Sequence, residues 1–329
     1  DVSVKDPDEL KRNESIQLFL NRSSKINREF DKDIDDLILI NKICNELQGI
    51  PLGIELAASR SDLLNIEEIF EGIKSNNYQD LEDYSHDRQK KHHSLYSAVN
   101  WSFNLLTDNE KDLFIQLAIF KTSFTAELAK KIVIIENTTY SLNFTKTLDA
   151  LVKSSLLKAN VNSKPTRFSF PITVYNFGNK VLYESKDAAY ISDLIERYGD
   201  TYISFLIIEN QKSKNILTSK SLKRMHAELE NIFSIQELLI KNKSFKKAAE
   251  IISFFADVLS IKGPELIRID KLKYSYDNII DKNNDYSCRL AIELSKAYQS
   301  RGQYDEGDRF GEMSVSIARK IEDNSLLAH

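Results

Sequence analysis

Glycine and proline are scarce in this sequence, with nine glycines and five prolines among 329 residues. Sheets with many tight turns need more of both, so the scarcity favours long helices joined by short connections. No apolar run approaches the about 20 residues that a helix needs to cross a bilayer, so we expect no membrane partner. The two cysteines, Cys44 and Cys288, lie far apart in the sequence, which argues against a disulfide framework and favours a cytoplasmic setting.

Motifs for phosphate, metal and nucleophile chemistry are also missing. None of the nine glycines directly precedes a lysine, so there is no Gly-x4-Gly-Lys-Ser/Thr loop to cradle phosphates. His92 and His93 are adjacent and diverge on a helix, and no His-Glu-x-x-His or Cys-x-x-Cys pair has the spacing of a zinc site. No Gly-x-Ser-x-Gly turn marks a nucleophile. We therefore predict no catalytic residue, no metal site and no enzymatic activity for this chain alone.

The residues that are present suit a helical protein with a hydrated surface. Hydrophobic residues make up 42% of the chain, which is ample for packed cores, and charged residues make up 29%. The net charge of -4 gives no overall attraction for nucleic acid, so DNA is not an expected partner.

Helical periodicity begins near the N-terminus of the sequence. Residues 13–27 and 34–47 carry apolar side chains at helical spacing, and Gly49 ends the second segment because glycine accepts the left-handed conformation. Pro51 can open the next helix, since its missing N–H would be unpaired there in any case. A short helix is predicted over residues 66–73, with Asn65 as its N-cap.

A polar stretch over residues 74–93 predicts a linker or long surface loop. Beyond it, Thr107 and Glu110 have the spacing of a capping box at a helix start. Trp101 lies on an apolar helix face, so we interpret it as a core residue rather than a ligand platform. Alternating segments at 156–161 and 167–170 predict a β-hairpin. Helices followed by a small hairpin are typical of a winged helix.

From about residue 186 onward the sequence is helical throughout. Its final part has the 34-residue spacing of a tetratricopeptide (TPR) hairpin, and such repeats stack into a superhelix. Tyr298, Tyr304 and Phe310 fit the internal packing of that hairpin rather than a partner groove.

Two groups of residues together resemble the STAND ATPases, signal-transduction ATPases with numerous domains that include the NB-ARC switches. Gly49-Ile50-Pro51-Leu52 is followed by Ile54-Glu55-Leu56-Ala57-Ala58 as in that class, and Trp101-Ser102 stands at the expected distance behind them. The chain resembles the C-terminal part of the large bacterial activators that combine an ATPase, a winged helix and TPR-like repeats.

The resemblance implies a mainly α fold with three parts in sequence order. These are a helical lid bundle over residues 1–77, a winged-helix domain with a small β-hairpin over 78–184, and a TPR-like α-superhelix over 185–329. It implies a regulatory segment of a nucleotide-dependent switch.

The resemblance also implies the partners and ligands of such a switch. Gly49 and Pro51 would contact adenine, but only in the intact protein, where an upstream P-loop domain of the same polypeptide holds ATP or ADP with Mg²⁺. The helical repeats would bind a protein or a small-molecule ligand.

One position departs from the family, and it keeps other readings open. In many relatives a carboxylate that senses phosphate begins the helix after the wing, but this sequence has Phe170-Pro171-Ile172-Thr173 there. A stand-alone TPR-type interaction scaffold is therefore an alternative. A DNA-binding winged helix is another, because a basic run covers Arg88, Lys90, Lys91, His92 and His93, although the nearby acids cancel much of its field.

Overall fold

The computed structural model describes residues 7–27, 33–77, 87–134, 140–211, 218–323 and 326. These residues are mainly α-helical, as predicted, with three short strands. Their contacts divide the chain into two compact units. The first combines Asp1–Ile119 with Val133–Ser185, and the second combines Phe120–Ile132 with Lys186–His329.

The elements of the first unit, in chain order, are α1 (Pro7–Arg12), α2 (Glu14–Ile26), α3 (Ile34–Glu46), α4 (Pro51–Ala58), α5 (Ile66–Asn77), α6 (Asp87–Asn104), α7 (Asp108–Leu117), then α9 (Tyr140–Lys153), β2 (Lys158–Asn160), β3 (Arg167–Ser169) and α10 (Ile172–Ser185). Those of the second unit are β1 (Phe124–Thr125), α8 (Ala126–Ile132), α11 (Ala188–Gln211), α12 (Ser219–His226), α13 (Leu229–Lys241), α14 (Phe245–Lys262), α15 (Glu265–Asn278), α16 (Asp285–Ser300) and α17 (Tyr304–Lys320).

Side chains at the helix starts satisfy the backbone N–H groups that a helix leaves unpaired. Asn13 accepts from the N–H of Ser15 at 2.9 Å ahead of α2. Thr107 and Glu110 form the predicted capping box of α7. At α5, the predicted N-cap Asn65 accepts from the N–H of Glu68, whose carboxylate accepts in return from the N–H of Asn65, both at 2.9 Å.

The core of the first unit is apolar and rich in aromatic rings. Phe114 packs against Phe103 and Phe170, with ring centroids 5.2 and 5.3 Å apart. Trp101 is only 6% exposed, which confirms its interpretation as a core residue. Helices α1 to α5 pack on one another as a bundle.

The predicted hairpin is confirmed, and it lies between α9 and α10. Strands β2 and β3 are antiparallel, with Lys158 opposite Ser169 and Asn160 opposite Arg167.

In the second unit, each helix from α13 to α17 packs on the next along the chain, and α11 packs on α13 and α14, in the manner of a helical-repeat superhelix, as predicted. Gly302 turns the chain between α16 and α17 with a φ of +72°. The rings of Tyr298 and Phe310 stack at 5.6 Å, as the repeat pattern predicts. The prediction for Tyr304 was wrong: this first residue of α17 is 65% exposed and is not part of the packed core.

The polar stretch at 74–93 is more helical than predicted. Helix α5 continues to Asn77 and α6 already begins at Asp87, so only residues 78–86 are left between them, outside the described part of the chain. A helix start tolerates charged residues. The first residues of α6 have no apolar face, so the sequence pattern did not predict that the helix begins there.

The domain boundaries 77/78 and 184/185 stay a prediction. Among the described residues, no helix is long and apolar enough to span a membrane.

Candidate functional site

The segment between α3 and α4 is a tight turn closed by backbone hydrogen bonds. The N–H of Gly49 donates to the carbonyl of Cys44 at 2.9 Å, and the N–H of Gln48 donates to the carbonyl of Asn45 at 2.9 Å. These two bonds define a Schellman motif, which satisfies the last carbonyls of a helix. Gly49 has the predicted left-handed conformation, with a φ of +68°. Gln48 shares it at +53°, and occupies the position where glycine is most frequent.

Pro51 is the first residue of α4, as predicted, and its ring is exposed to solvent. The next turns of α4 are buried, with Ile54 and Leu56 both at 0% exposure. Gly53 lies against Leu47, and a β-carbon there would be 3.4 Å from the leucine Cδ2. The turn thus presents Gly49 and Pro51 at the surface while the helix behind them is fixed in the core.

Side-chain hydrogen bonds join α2 and the residue that follows α4 to the C-terminal end of α9. Arg22 donates to the carbonyls of Val152 and Lys153 at 3.3 and 3.1 Å. The hydroxyl of Ser59 donates to the carbonyl of Ser154 at 3.1 Å. A cation at the end of a helix also interacts favourably with the helix dipole. These bonds hold α2, α4 and α9 together within the first unit.

A second arginine, Arg60, donates a hydrogen bond to a backbone carbonyl near the C-terminal end of α6. Arg60 is 5% exposed and donates to the carbonyl of Ser102 at 2.6 Å. Burial lowers the pKa of the Arg60 guanidinium, and the charges of Asp62 and Glu110 oppose that shift. This bond fixes the segment that follows α4 against α6.

The position at which the STAND resemblance predicts a phosphate-sensing carboxylate lies at the start of α10. That helix begins at Ile172, which is 71% exposed, and its first turn contains no acidic residue. Ile172 therefore offers an exposed apolar side chain at this position instead of a carboxylate.

The last helical hairpin carries a shallow groove of about 730 Å³ along α17. Two acids, Asp308 and Glu312, line one end, and two bases, Arg319 and Lys320, line the other. Gly311 and Val315 lie between them, with Ser295 and Gln299 contributed by α16. This arrangement suits an elongated ligand with opposite charges at its two ends.

The sequence did not predict several polar residues whose hydrogen bonds organise the units. Arg22 and Arg60 cap helices far from them in the sequence, and Asn231 and Gln116 bind distant backbone. The only available signal was a polar residue at an apolar position of a helix. Among the described residues, no three His, Cys, Asp or Glu side chains lie together as metal ligands.

Comparison with known proteins gives partial matches. No family model matches the chain. An uncharacterized protein of Mycobacterium tuberculosis is 31% identical over 120 residues, which is 36% of this chain and 30% of that protein. A "Putative HTH-type transcriptional regulator" of the same organism is 27% identical over 219 residues, 67% of this chain and 24% of that protein. The chain thus spans less than a third of the length of either relative.

One solved structure is similar over most of the chain, at low structural agreement. It is a Signal Transduction ATPase with Numerous Domains (STAND) protein with a tetratricopeptide repeat sensor from Pyrococcus horikoshii. The match covers 95% of this chain and 54% of that one, with 12% identity and a TM-score of 0.31.

Proposed function

We propose that this chain is a regulatory segment of a nucleotide-dependent switch of the STAND type. The observation that carries the proposal is the turn at Gly49 and Pro51, where an exposed proline ring opens a helix that is mostly buried. An exposed apolar ring on a fixed helix end is suited to pack against a flat heterocycle such as adenine. Similarity to a relative named as a transcriptional regulator supports a regulatory role.

In the intact protein, an upstream P-loop domain supplies the phosphate site and the Mg²⁺, and this chain supplies one wall of the adenine site. The turn is rigid before nucleotide arrives, because its backbone is closed by the bonds to Cys44 and Asn45. A preorganised contact loses little conformational entropy on binding. This chain alone performs no catalysis.

The helical repeats act as the sensor in this proposal. The charged groove on α17 is the surface we assign to a protein or small-molecule ligand, with its acidic end at Asp308 and Glu312 and its basic end at Arg319 and Lys320. A ligand that binds one conformation of the repeats better than another shifts the switch toward that conformation.

Nucleotide titration tests the proposal. Calorimetry on this chain alone should give no ATP binding tighter than millimolar, and binding in the micromolar range would contradict it. In a longer polypeptide that includes the upstream domain, Pro51→Ala should weaken ATP binding severalfold without loss of the fold. Pro264→Ala is the matched control, since Pro264 is also exposed at a helix start but lies in the second unit. Equal effects of the two variants would remove the adenine contact.

DNA binding is the second candidate function, favoured by the name of the HTH-type relative. The net charge of -4 works against it. A gel-shift titration of duplex DNA at low salt distinguishes the two. Complexes that weaken steeply with added salt would establish a DNA-binding protein, and their absence at low salt would eliminate this candidate.

A stand-alone scaffold is the third candidate, favoured by the missing carboxylate at Ile172. This hypothesis predicts that ATP and ADP do not change the affinity of the repeats for their ligand in the full-length polypeptide. A switch predicts that the two nucleotides give different affinities.

A further inference from the structure

One short segment leaves the first unit and returns to it. Residues Phe120–Ile132 belong to the second unit, although Ile119 and Val133 on either side belong to the first. Within the second unit, Phe120 contacts the ring of Tyr198 at 5.2 Å, and α8 packs against α11. We call residues Phe120–Ile132 the crossing segment.

A buried asparagine on α13 holds the beginning of the crossing segment. The side chain of Asn231 is 0% exposed. Its Oδ1 accepts from the N–H of Thr122 at 3.1 Å, and its Nδ2 donates to the carbonyl of Ser123 at 2.9 Å. One amide therefore satisfies both polar groups of a backbone turn.

The carboxyl group of Glu228 fixes the orientation of that amide. Its Oε2 accepts from Asn231 Nδ2 at 3.0 Å and from the hydroxyl of Tyr202 at 2.7 Å. Glu228 is 2% exposed, so these bonds are shielded from water. If α13 moves away, the bonds to the N–H of Thr122 and to the carbonyl of Ser123 break, and the buried amide of Asn231 loses two hydrogen bonds, which is unfavourable.

An amide in the first unit connects the residues that flank the crossing segment on its two sides. Gln116 is 0% exposed, donates to the carbonyl of Ile134 at 2.8 Å and accepts from the N–H of Ile134 at 2.8 Å. Gln116 therefore joins the two stretches of chain that flank the crossing segment, and Asn231 holds the segment near its beginning.

Further buried contacts connect α13 to the last helices. On α13, Gln236 Nε2 donates to the carbonyl of Lys271 at 2.6 Å and to the hydroxyl of Ser275 at 2.7 Å, both on α15. Also on α15, Arg268 pairs with Glu293 of α16 at 3.0 Å. Polar contacts thus extend from α16, which helps line the charged groove, through α15 and α13 to Thr122.

We propose that α13 transmits displacement of the helical repeats to the crossing segment through Asn231. A ligand bound to the repeats would then change how firmly α13 holds Thr122 and Ser123, and with them the crossing segment. This inference rests on the proposed sensor role of the repeats and specifies the element through which it acts. Such coupling requires an element with two arrangements, which in this proposal are the turn at Thr122 and Ser123 with and without its bonds to Asn231.

Amide hydrogen exchange on the 329-residue chain tests the transmission without any ligand. Asn231→Asp keeps the size and one acceptor oxygen but loses the donation to Ser123. Exchange in the peptide covering residues 120–125 should then accelerate about tenfold, since the bonds from Nδ2 to the Ser123 carbonyl and to Glu228 are lost. Gln236→Met cuts the link to α15 and leaves the Asn231 bonds intact, yet exchange in the same peptide should rise about threefold if α13 transmits the change.

Asn210→Ala is the matched control. Asn210 also bonds a backbone carbonyl within the second unit, that of Phe254 at 3.2 Å, but lies on α11. It should leave exchange at 120–125 unchanged. No acceleration in Gln236→Met, or an equal one in Asn210→Ala, would overturn the proposal, even if Asn231→Asp fails to fold. Because the exchange experiment contains no nucleotide, neither result bears on the adenine contact at Pro51, which the ATP titration tests separately.

Discussion

The indole of Trp101 lies directly against the backbone of Gly72. A β-carbon on Gly72 would stand 2.6 Å from the indole Nε1 and 2.8 Å from Cε2. Contacts that short require one of the two helices to move, because Trp101 is buried and its ring has no free space. The close approach of α5 and α6 in the first unit therefore depends on the absence of a side chain at residue 72.

Gly72→Ala should destabilise the first unit. Alanine favours a helix interior over glycine by about 1 kcal/mol, but overpacking a core costs about 1–3 kcal/mol, so we expect a net loss of up to about 2 kcal/mol. Trp101 is the only tryptophan of the chain, so its fluorescence during urea unfolding reports on the first unit. Gly53→Ala is the control, since a β-carbon there makes an ordinary contact of 3.4 Å with Leu47. Equal losses in both variants would contradict the steric explanation.

Gly49→Ala should destabilise the turn through its backbone conformation alone. The φ of +68° costs an L-residue about 1–2 kcal/mol, whereas the nearest atom to an added β-carbon, Ser15 Oγ, would be at 3.6 Å. Asparagine tolerates this region, so Gly49→Asn should lose less than Gly49→Ala. The same fluorescence measurement reports both variants. If alanine and asparagine destabilise equally, contact with Ser15 rather than conformation determines the loss.

Most features of the turn around Gly49 could be predicted from the sequence. The helix end, the left-handed glycine and the opening proline were all predicted, because each follows from local backbone preferences. The left-handed Gln48 was not predicted, since glutamine has no special preference for that region. It adopts the conformation because the bonds from Gly49 to Cys44 and from Gln48 to Asn45 require it.

Long-range polar contacts could not be predicted at all. Asn231 and Thr122 are 109 residues apart, and Arg22 is 130 residues from Val152. Nothing in a single sequence specifies which distant backbone a buried side chain will meet. The adenine contact at Gly49 and Pro51 likewise stays a prediction, because it concerns residues outside this chain.

Both cysteine thiols should be unreactive in the folded protein. Burial raises the pKa of Cys44 to about 12, and burial followed by the charge of Asp323 raises the pKa of Cys288. Since the thiolate is the reactive form, a disulfide reagent at pH 8 should label neither residue natively and both in urea. Cys288→Ser should reduce the denatured count to one and leave the native count at zero. Rapid native labelling of either cysteine would mean that its surroundings open locally.

A cluster around Glu196 should make the stability of the second unit depend on pH. Burial raises the pKa of Glu196, but bonds from Lys247 at 2.6 Å, Ser244 and Asn242 at 2.8 Å outweigh it, so the pKa falls below its usual 4.5. A carboxylate with a lower pKa in the folded state stabilises fully above pH 4.5. That contribution is lost as the pH falls through the folded value.

Glu196→Gln should therefore lower the free energy of unfolding at pH 7, and the difference from the original protein should shrink below pH 4.5. Circular dichroism during urea unfolding measures it, since the second unit contains no tryptophan. Glu312→Gln is the control, because Glu312 is exposed on α17 and its loss should change stability little at either pH. A difference for Glu196→Gln that persists unchanged at pH 3 would mean that the side chain acts through packing rather than through its charge.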